Sequence, residues 1–181
     1  MRVIAGSAKG TRLATVPART RPLSERAREG LFSSLGPATI DARVLDLFAG
    51  TGAVGIEALS RGADSATFVD ASMAAVKTIE ENLSKTRLSD RASVYRLDVD
   101  AALARDLGTF DVVFLDPPYR LETRDVERIV AALAANGVAV PGAIVALTRR
   151  KGSSDPVVPL DWSRHRRLGY GDAVVHVFRT P

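Results

Sequence analysis

A chain of 181 residues with 46% apolar and 25% charged residues has the size of one domain and can bury a sizeable core, which excludes global disorder. Cysteine is absent, so disulfides, thiolate-bound metal and a cysteine nucleophile are excluded. The net charge of +4 is uneven: residues 1–28 hold seven bases and one acid, and the other 153 sum to −2, which suits docking of a polyanion at one end.

In chain order, residues 3–6 and 11–14 flank a Gly/Lys turn and are expected to pair as a hairpin. Pro22 precedes a helix with Leu23, Ala27, Leu31 and Leu35 at four-residue spacing, stopping near Gly36-Pro37. Its apolar stripe should lie on a sheet, with Arg21, Arg26 and Arg28 in solvent. Residues 1–40 thus read as a basic extension and 41–181 as the main domain.

From there apolar runs and helical patterns alternate. Strands are expected at 44–48, 66–69, 92–97, 110–115 and 143–147. Helices are expected at 53–61 with Gly62 as stop, and from a Ser72 cap to about 85 with Met73, Val76, Ile79 and Leu83 on one face. Two more are expected at 100–107, and at 123–136 with Val126, Ile129, Val130 and Leu133 as stripe. Residues 162–168 and 174–178 flank a Gly169–Asp172 turn and must run antiparallel, placing His176 at a sheet edge. The predicted fold class is α/β, a mostly parallel sheet with helices on both faces and an antiparallel C-terminal hairpin. No sustained apolar run follows Arg2, and the tract from Val138 to Leu147 is broken by Pro141 and Gly142, so a cytoplasmic chain without a membrane span is expected.

Gly50-Thr51-Gly52-Ala53-Val54-Gly55 follows a strand and fits G-x-G-x-x-G, with Asp70 about twenty residues on. This pattern alone also describes a nicotinamide dinucleotide site. Asp46 favours adenosylmethionine instead: it stands inside the first strand, where a buried carboxylate needs a partner and a pyrophosphate would be repelled. An α-ammonium could be that partner; capping nearby backbone N–H groups is the alternative. Asp98 is placed to accept from an adenine amino group or to cap the helix that follows. Phe48, Ala71 and Val99 complete the candidate donor site.

Asp116-Pro117-Pro118-Tyr119 ends the apolar strand 110–115, at the end of the sheet where open α/β folds bind ligands. A carboxylate and the Pro117 carbonyl can each hold one N–H of an exocyclic amine and free its delocalised lone pair. Two prolines stiffen the loop, and a tyrosine can stack on an extruded base. Methylating a pyrimidine carbon usually begins with a thiolate, which this chain lacks, so an amine is the expected acceptor. His165 lies among Arg164, Arg166 and Arg167, a solvated face or a second phosphate contact; neither histidine has ligand spacing, and no metal is expected.

These motifs, with the opening Met1–Gly6, the stretch Arg21–Glu29 and Tyr170-Gly171-Asp172, resemble the RsmD family of bacterial guanine-amino methyltransferases of small-subunit ribosomal RNA. The resemblance spans essentially the whole chain. It implies a Rossmann-like class I methyltransferase fold with a seven-stranded sheet, S-adenosylmethionine as donor and a guanine as acceptor. The partner it implies is the small ribosomal subunit or its RNA, gripped with help from the N-terminal extension, whose bases Arg2, Lys9, Arg12, Arg19, Arg21, Arg26 and Arg28 are the candidate contacts; a monomer is the default expectation. Asp70 stands where the family more often has Glu, and Thr148-Arg149-Arg150 lacks the acid usual at that strand end, so that strand receives no site residue. A DNA adenine-amino methyltransferase and a non-catalytic RNA-binding assembly factor remain as alternatives.

Overall fold

The computed structural model describes residues 1–16 and 23–181. Seven strands, β1 Arg43–Leu47, β2 Ser65–Asp70, β3 Ala92–Arg96, β4 Phe110–Leu115, β5 Ala139–Arg150, β6 Ser163–Tyr170 and β7 Ala173–Arg179, form one sheet in the order β3-β2-β1-β4-β5-β7-β6. β1 to β5 run parallel, and β7 is inserted antiparallel between β5 and the edge strand β6. The helices are α1 Glu25–Leu35, α2 Ala53–Ser60, α3 Met73–Thr86, α4 Val99–Leu103 and α5 Thr123–Ala135.

Strict alternation along the strands builds two cores. Val44 of β1, Val112 and Phe114 of β4, and Ile144 and Ala146 of β5 pack under α1, α2 and α3, against Phe32, Ile56 and Ile79. Leu45, Leu47, Val113, Leu115, Val145 and Leu147 point the other way, under α4 and α5. Continuing the same alternation puts Asp46, Asp116 and Thr148 on the first face, at the carboxyl ends of three adjacent strands. A period of two thus gathers three polar groups from distant positions in the chain, 46, 116 and 148.

The N-terminal residues belong to this first core, through Val3, Ala8 and Leu13. They do not form the expected hairpin ladder. A single antiparallel bridge joins Arg2 to Arg12, flanked by Val3 N–H donating to the Thr11 carbonyl at 3.0 Å. The reason lies on α2, whose side chains replace a partner strand. Glu57 accepts from Ile4 N–H at 2.8 Å and Ala5 N–H at 3.0 Å, and Ser60 Oγ accepts from Ala8 N–H at 2.9 Å. Asn82 of α3 does the same further along, accepting from Ala14 N–H at 2.7 Å while donating to the Thr51 carbonyl at 2.9 Å.

α1 starts one turn later than Pro22, with Ser24 Oγ accepting from Ala27 N–H at 3.2 Å. The expectation for Arg28 is corrected too: it lies in helical register with Leu31, Phe32 and Leu35 and is wholly buried. Its guanidinium donates to the Arg2 carbonyl at 2.6 Å and more weakly to the Leu23 carbonyl at 3.4 Å. Burial lowers its pKa, and the charges of Glu57 and Glu25 oppose that shift. Three smaller differences follow from packing. β5 begins at Ala139, because the register with β4 shifts after Phe110 and so accommodates Pro141 and Gly142. His176 is buried rather than at an edge, because β6 lies outside β7. Met73, at the start of α3, is exposed.

The burial of Glu57 generates a prediction. Glu57→Ala strips acceptors from two backbone N–H groups and an ion-pair partner from Arg61, so unfolding in urea should lose about 3 kcal/mol. A loss under about 1 kcal/mol would show that the N-terminal segment is not anchored there.

Candidate active site

The loop after β1 is shaped by local backbone geometry. Phe48 has φ 61°, a left-handed conformation that is uncommon for a bulky residue and marks stored strain. Gly50 and Gly52 also have positive φ, so the chain doubles back before α2 begins at Ala53. Gly55 meets a different demand, close approach: a methyl there would fall 2.3 Å from the Phe68 ring and 3.2 Å from Asp46 Oδ2. Only hydrogen lets α2 sit this close to β2 and to the carboxylate.

Asp46 is 2% exposed, and its Oδ2 accepts from Gly55 N–H at 2.9 Å. Burial raises its pKa well above the usual carboxylate range; the Gly55 hydrogen bond opposes this, and the negative charges of Asp116 and Asp70 add to it. Backbone capping, the alternative open to this residue, is therefore real, yet it leaves the carboxylate under-compensated. Asp70, at the end of β2, accepts from Gly50 N–H and Ser72 N–H, both at 2.9 Å, so it fixes the glycine loop to the start of α3. Asp98 is exposed and caps α4, accepting from Ala101 N–H at 2.7 Å. Thr51 and Val99 are buried and Ala71 is exposed. Asp46, the loop residues 48–52, Asp70 and Asp98 all stand at one end of the sheet, where β1 and β4 diverge into helices on opposite faces. That is the topological switch point of the fold.

Asp116 immediately follows β4, with its N–H still directed to the Leu47 carbonyl at 3.4 Å. Desolvation raises its pKa to about 6, opposed by a hydrogen bond from Thr148. Pro117 is buried, Pro118 is half-buried, and Tyr119 is 39% exposed. Beside them opens a cavity of about 400 Å³. Asp116, Tyr119 and Thr148 form its floor; Ser24, Arg26 and Ala27 of the α1 start form one wall, and residues 169–173 of the β6–β7 turn form the other. The walls are tied together where α1 passes Tyr170: a methyl on Gly30 would come within 2.1 Å of the tyrosine hydroxyl. The volume suits a flat heterocycle lying against Asp116 and Tyr119.

The basic residues separate into distinct roles. Arg2, Lys9, Arg12 and Arg26 are exposed, and Arg2 pairs with Glu25 at 3.2 Å. Arg26 alone of these lines the cavity. Arg28 is structural, while Arg19 and Arg21 lie outside the described residues. The sequence reading missed Glu57, Asn82, Thr148 and Arg149. A lone glutamate inside Ala53–Ser60, an otherwise small and apolar helix, was the available signal for Glu57.

A family model described as Conserved hypothetical protein 95 matches residues 1–179. The chain is 34% identical over 181 residues to Ribosomal RNA small subunit methyltransferase D of Escherichia coli strain K12, covering 99% of this chain and 89% of that protein. It is 31% identical to the protein of the same name from Haemophilus influenzae, covering 90% and 85%. The solved structure of yhhF from Escherichia coli superposes with a TM-score of 0.89 at 33% identity, covering 99% of this chain and 97% of that one.

Asp116 also makes stability depend on pH. Its folded pKa of about 6 exceeds the ordinary 3.8, so the stability from its bound proton is complete below about pH 4 and lost as pH rises through about 6. Asp116→Asn should therefore melt higher than wild type at pH 7, with the gap closing towards pH 4. Parallel melting curves across that window would contradict the raised pKa.

Proposed function

Because this chain belongs to the RsmD family, described as Conserved hypothetical protein 95, we propose that it transfers a methyl group from S-adenosylmethionine to the exocyclic amino group of a guanine in small-subunit ribosomal RNA. The observation that carries the proposal is the position of Asp46 and Asp116 at the ends of the adjacent strands β1 and β4, with an open cavity on the Asp116–Tyr119 side.

The residues on the β1 side fit such a donor. The charges acting on buried Asp46 are two further carboxylates, so the complement its surroundings call for is a cation, and an α-ammonium is one. Asp70 would accept from ribose hydroxyls while it holds the glycine loop, and Asp98 would accept from the adenine amino group while it caps α4. Phe48, Gly50, Thr51, Gly52, Ala71 and Val99 would surround the rest. Bound there, S-adenosylmethionine supplies a methyl group on a positively charged sulfur, already a good leaving group.

The chain's own residues then act on the acceptor. Asp116 and the Pro117 carbonyl each accept one amino N–H, drawing the nitrogen towards tetrahedral geometry and freeing its lone pair for in-line attack. Pro117 and Pro118 lack N–H donors and hold φ near the proline value, which keeps these acceptors aimed. Tyr119 stacks on the base after it leaves its helix. The amino proton departs once the methyl has arrived, and Asp116, titrating near 6, is a suitable carboxylate to take it. Arg2, Lys9, Arg12 and Arg26 hold flanking phosphates, joined by Arg19 and Arg21 from the segment outside the described residues. In this reading a monomer approaches the small ribosomal subunit or its RNA.

Asp116→Ala should abolish transfer, by at least about a thousandfold, while calorimetry finds donor affinity within a factor of about two of wild type. Labelled donor is to be offered with small subunits lacking the modification, with naked ribosomal RNA and with duplex DNA; label confined to DNA would overturn the proposal. Arg26→Glu should weaken RNA binding and flatten its dependence on salt by about one unit of log–log slope or more. An unchanged slope would remove the α1 wall from the RNA interface.

A further inference from the structure

We infer that Thr148 and Arg149, consecutive residues at the carboxyl end of β5, are positioning residues that grip the acceptor loop Asp116–Thr123 from its two ends. The inference deepens the proposed methyl transfer and rests on it.

Neighbouring strand residues point to opposite faces, and here both side chains reach the same loop. Thr148 lies on the face shared with Asp46 and Asp116; it is 3% exposed, yet it lines the cavity, and its hydroxyl donates to the Asp116 carboxylate. Arg149 points to the other face and is 5% exposed. Its guanidinium donates to the Leu121 carbonyl at 3.3 Å and to Thr123 Oγ1 at 3.1 Å. Within the loop, Leu121 N–H donates to the Pro118 carbonyl at 2.8 Å. A continuous chain of contacts therefore runs from Asp116 through Pro118 and Leu121 back to β5.

The arrangement suits the chemistry. An acceptor carboxylate that must hold an amine N–H has to stay ionised and keep one oxygen aimed outward, and a neutral hydroxyl donor does both without neutralising it. The groups facing Asp116 are Asp46 from β1, Thr148 from β5, Tyr119 from its own loop, Arg26 from α1, and Tyr170 and Asp172 from the β6–β7 turn. Of these, Thr148 is buried and donates a hydrogen bond to it. Arg149, extended under the far side, resists the loop's swinging away from β4. A guanidinium is suited to this because its planar fork reaches two acceptors at once.

The test is the pH profile of methyl transfer to small-subunit RNA. Thr148→Val should move the acidic limb of kcat to higher pH and lower kcat at pH 6 about tenfold, whereas Thr148→Ser should stay close to wild type. Should the valine variant fail to fold by circular dichroism, Thr148→Ala against Thr148→Ser reads the same hydroxyl. Arg149→Met should lower kcat about tenfold at every pH while the KM for the donor is unchanged, and Arg149→Lys should recover part of it. A hydroxyl-free variant with the wild-type limb, or Arg149→Met with the wild-type kcat, overturns the inference. Wild-type protein that methylates none of the RNA substrates would instead refute the proposed function, so the two failures are distinguishable.

Discussion

Two carboxylates stand at the ends of neighbouring parallel strands, Asp46 buried and Asp116 half-buried against the cavity, and the loops around them are arranged to tolerate that. Asp46 has one backbone donor and Asp116 one hydroxyl donor; burial raises the proton affinity of both, and the charge of Asp116 raises that of Asp46 further. Such a pair opposes folding at neutral pH unless something cationic or N–H-rich arrives. The fold confines this tension to the switch point between β1 and β4, where strand ends are open and both halves of a reaction can meet. Strain at Phe48 and the close approach at Gly55 belong to the same place. Stability is spent here and recovered in two well-filled cores on either side of the sheet.

The N-terminal segment shows how such a site is walled. Residues 1–16 form almost no sheet of their own, yet the side chains of Glu57, Ser60 and Asn82 accept from their backbone N–H groups and fix them to α2 and α3. Asn82 also holds the Thr51 carbonyl, so one side chain bridges the extension and the glycine loop. α1 then carries the cavity's first wall, with the buried Arg28 fastening it to Arg2. A segment that reads as an appendage in the sequence is thereby part of the core and of the cavity at once.

Much of this was legible from the residues. Apolar runs bounded by turn residues located all seven strands within a few residues, and Ser72 and the 126–133 stripe behave as their spacing predicts. The loop after β1 and the Asp-Pro-Pro-Tyr tract fall together at one end of the sheet because both follow parallel strands. What was not legible depends on tertiary packing. Arg28 reads as solvated because it is charged, although its helical spacing to Leu31 and Phe32 puts it on the buried face, where the Arg2 and Leu23 carbonyls receive its guanidinium. The hairpin was expected because no local signal reveals that a helix side chain will take the place of a strand. Thr148 and Arg149 carry no local signal of their roles, because the groups their hydroxyl and guanidinium reach lie on a loop distant in sequence.

Carbon-13 titration of the two aspartate side chains, with and without S-adenosylmethionine, addresses the central idea directly. In the free protein both carboxyls should titrate above the ordinary carboxylate range, and adding the donor should bring Asp46 back down towards it. If both titrate near 4 in the free protein, or Asp46 ignores the donor, the account of this site is wrong.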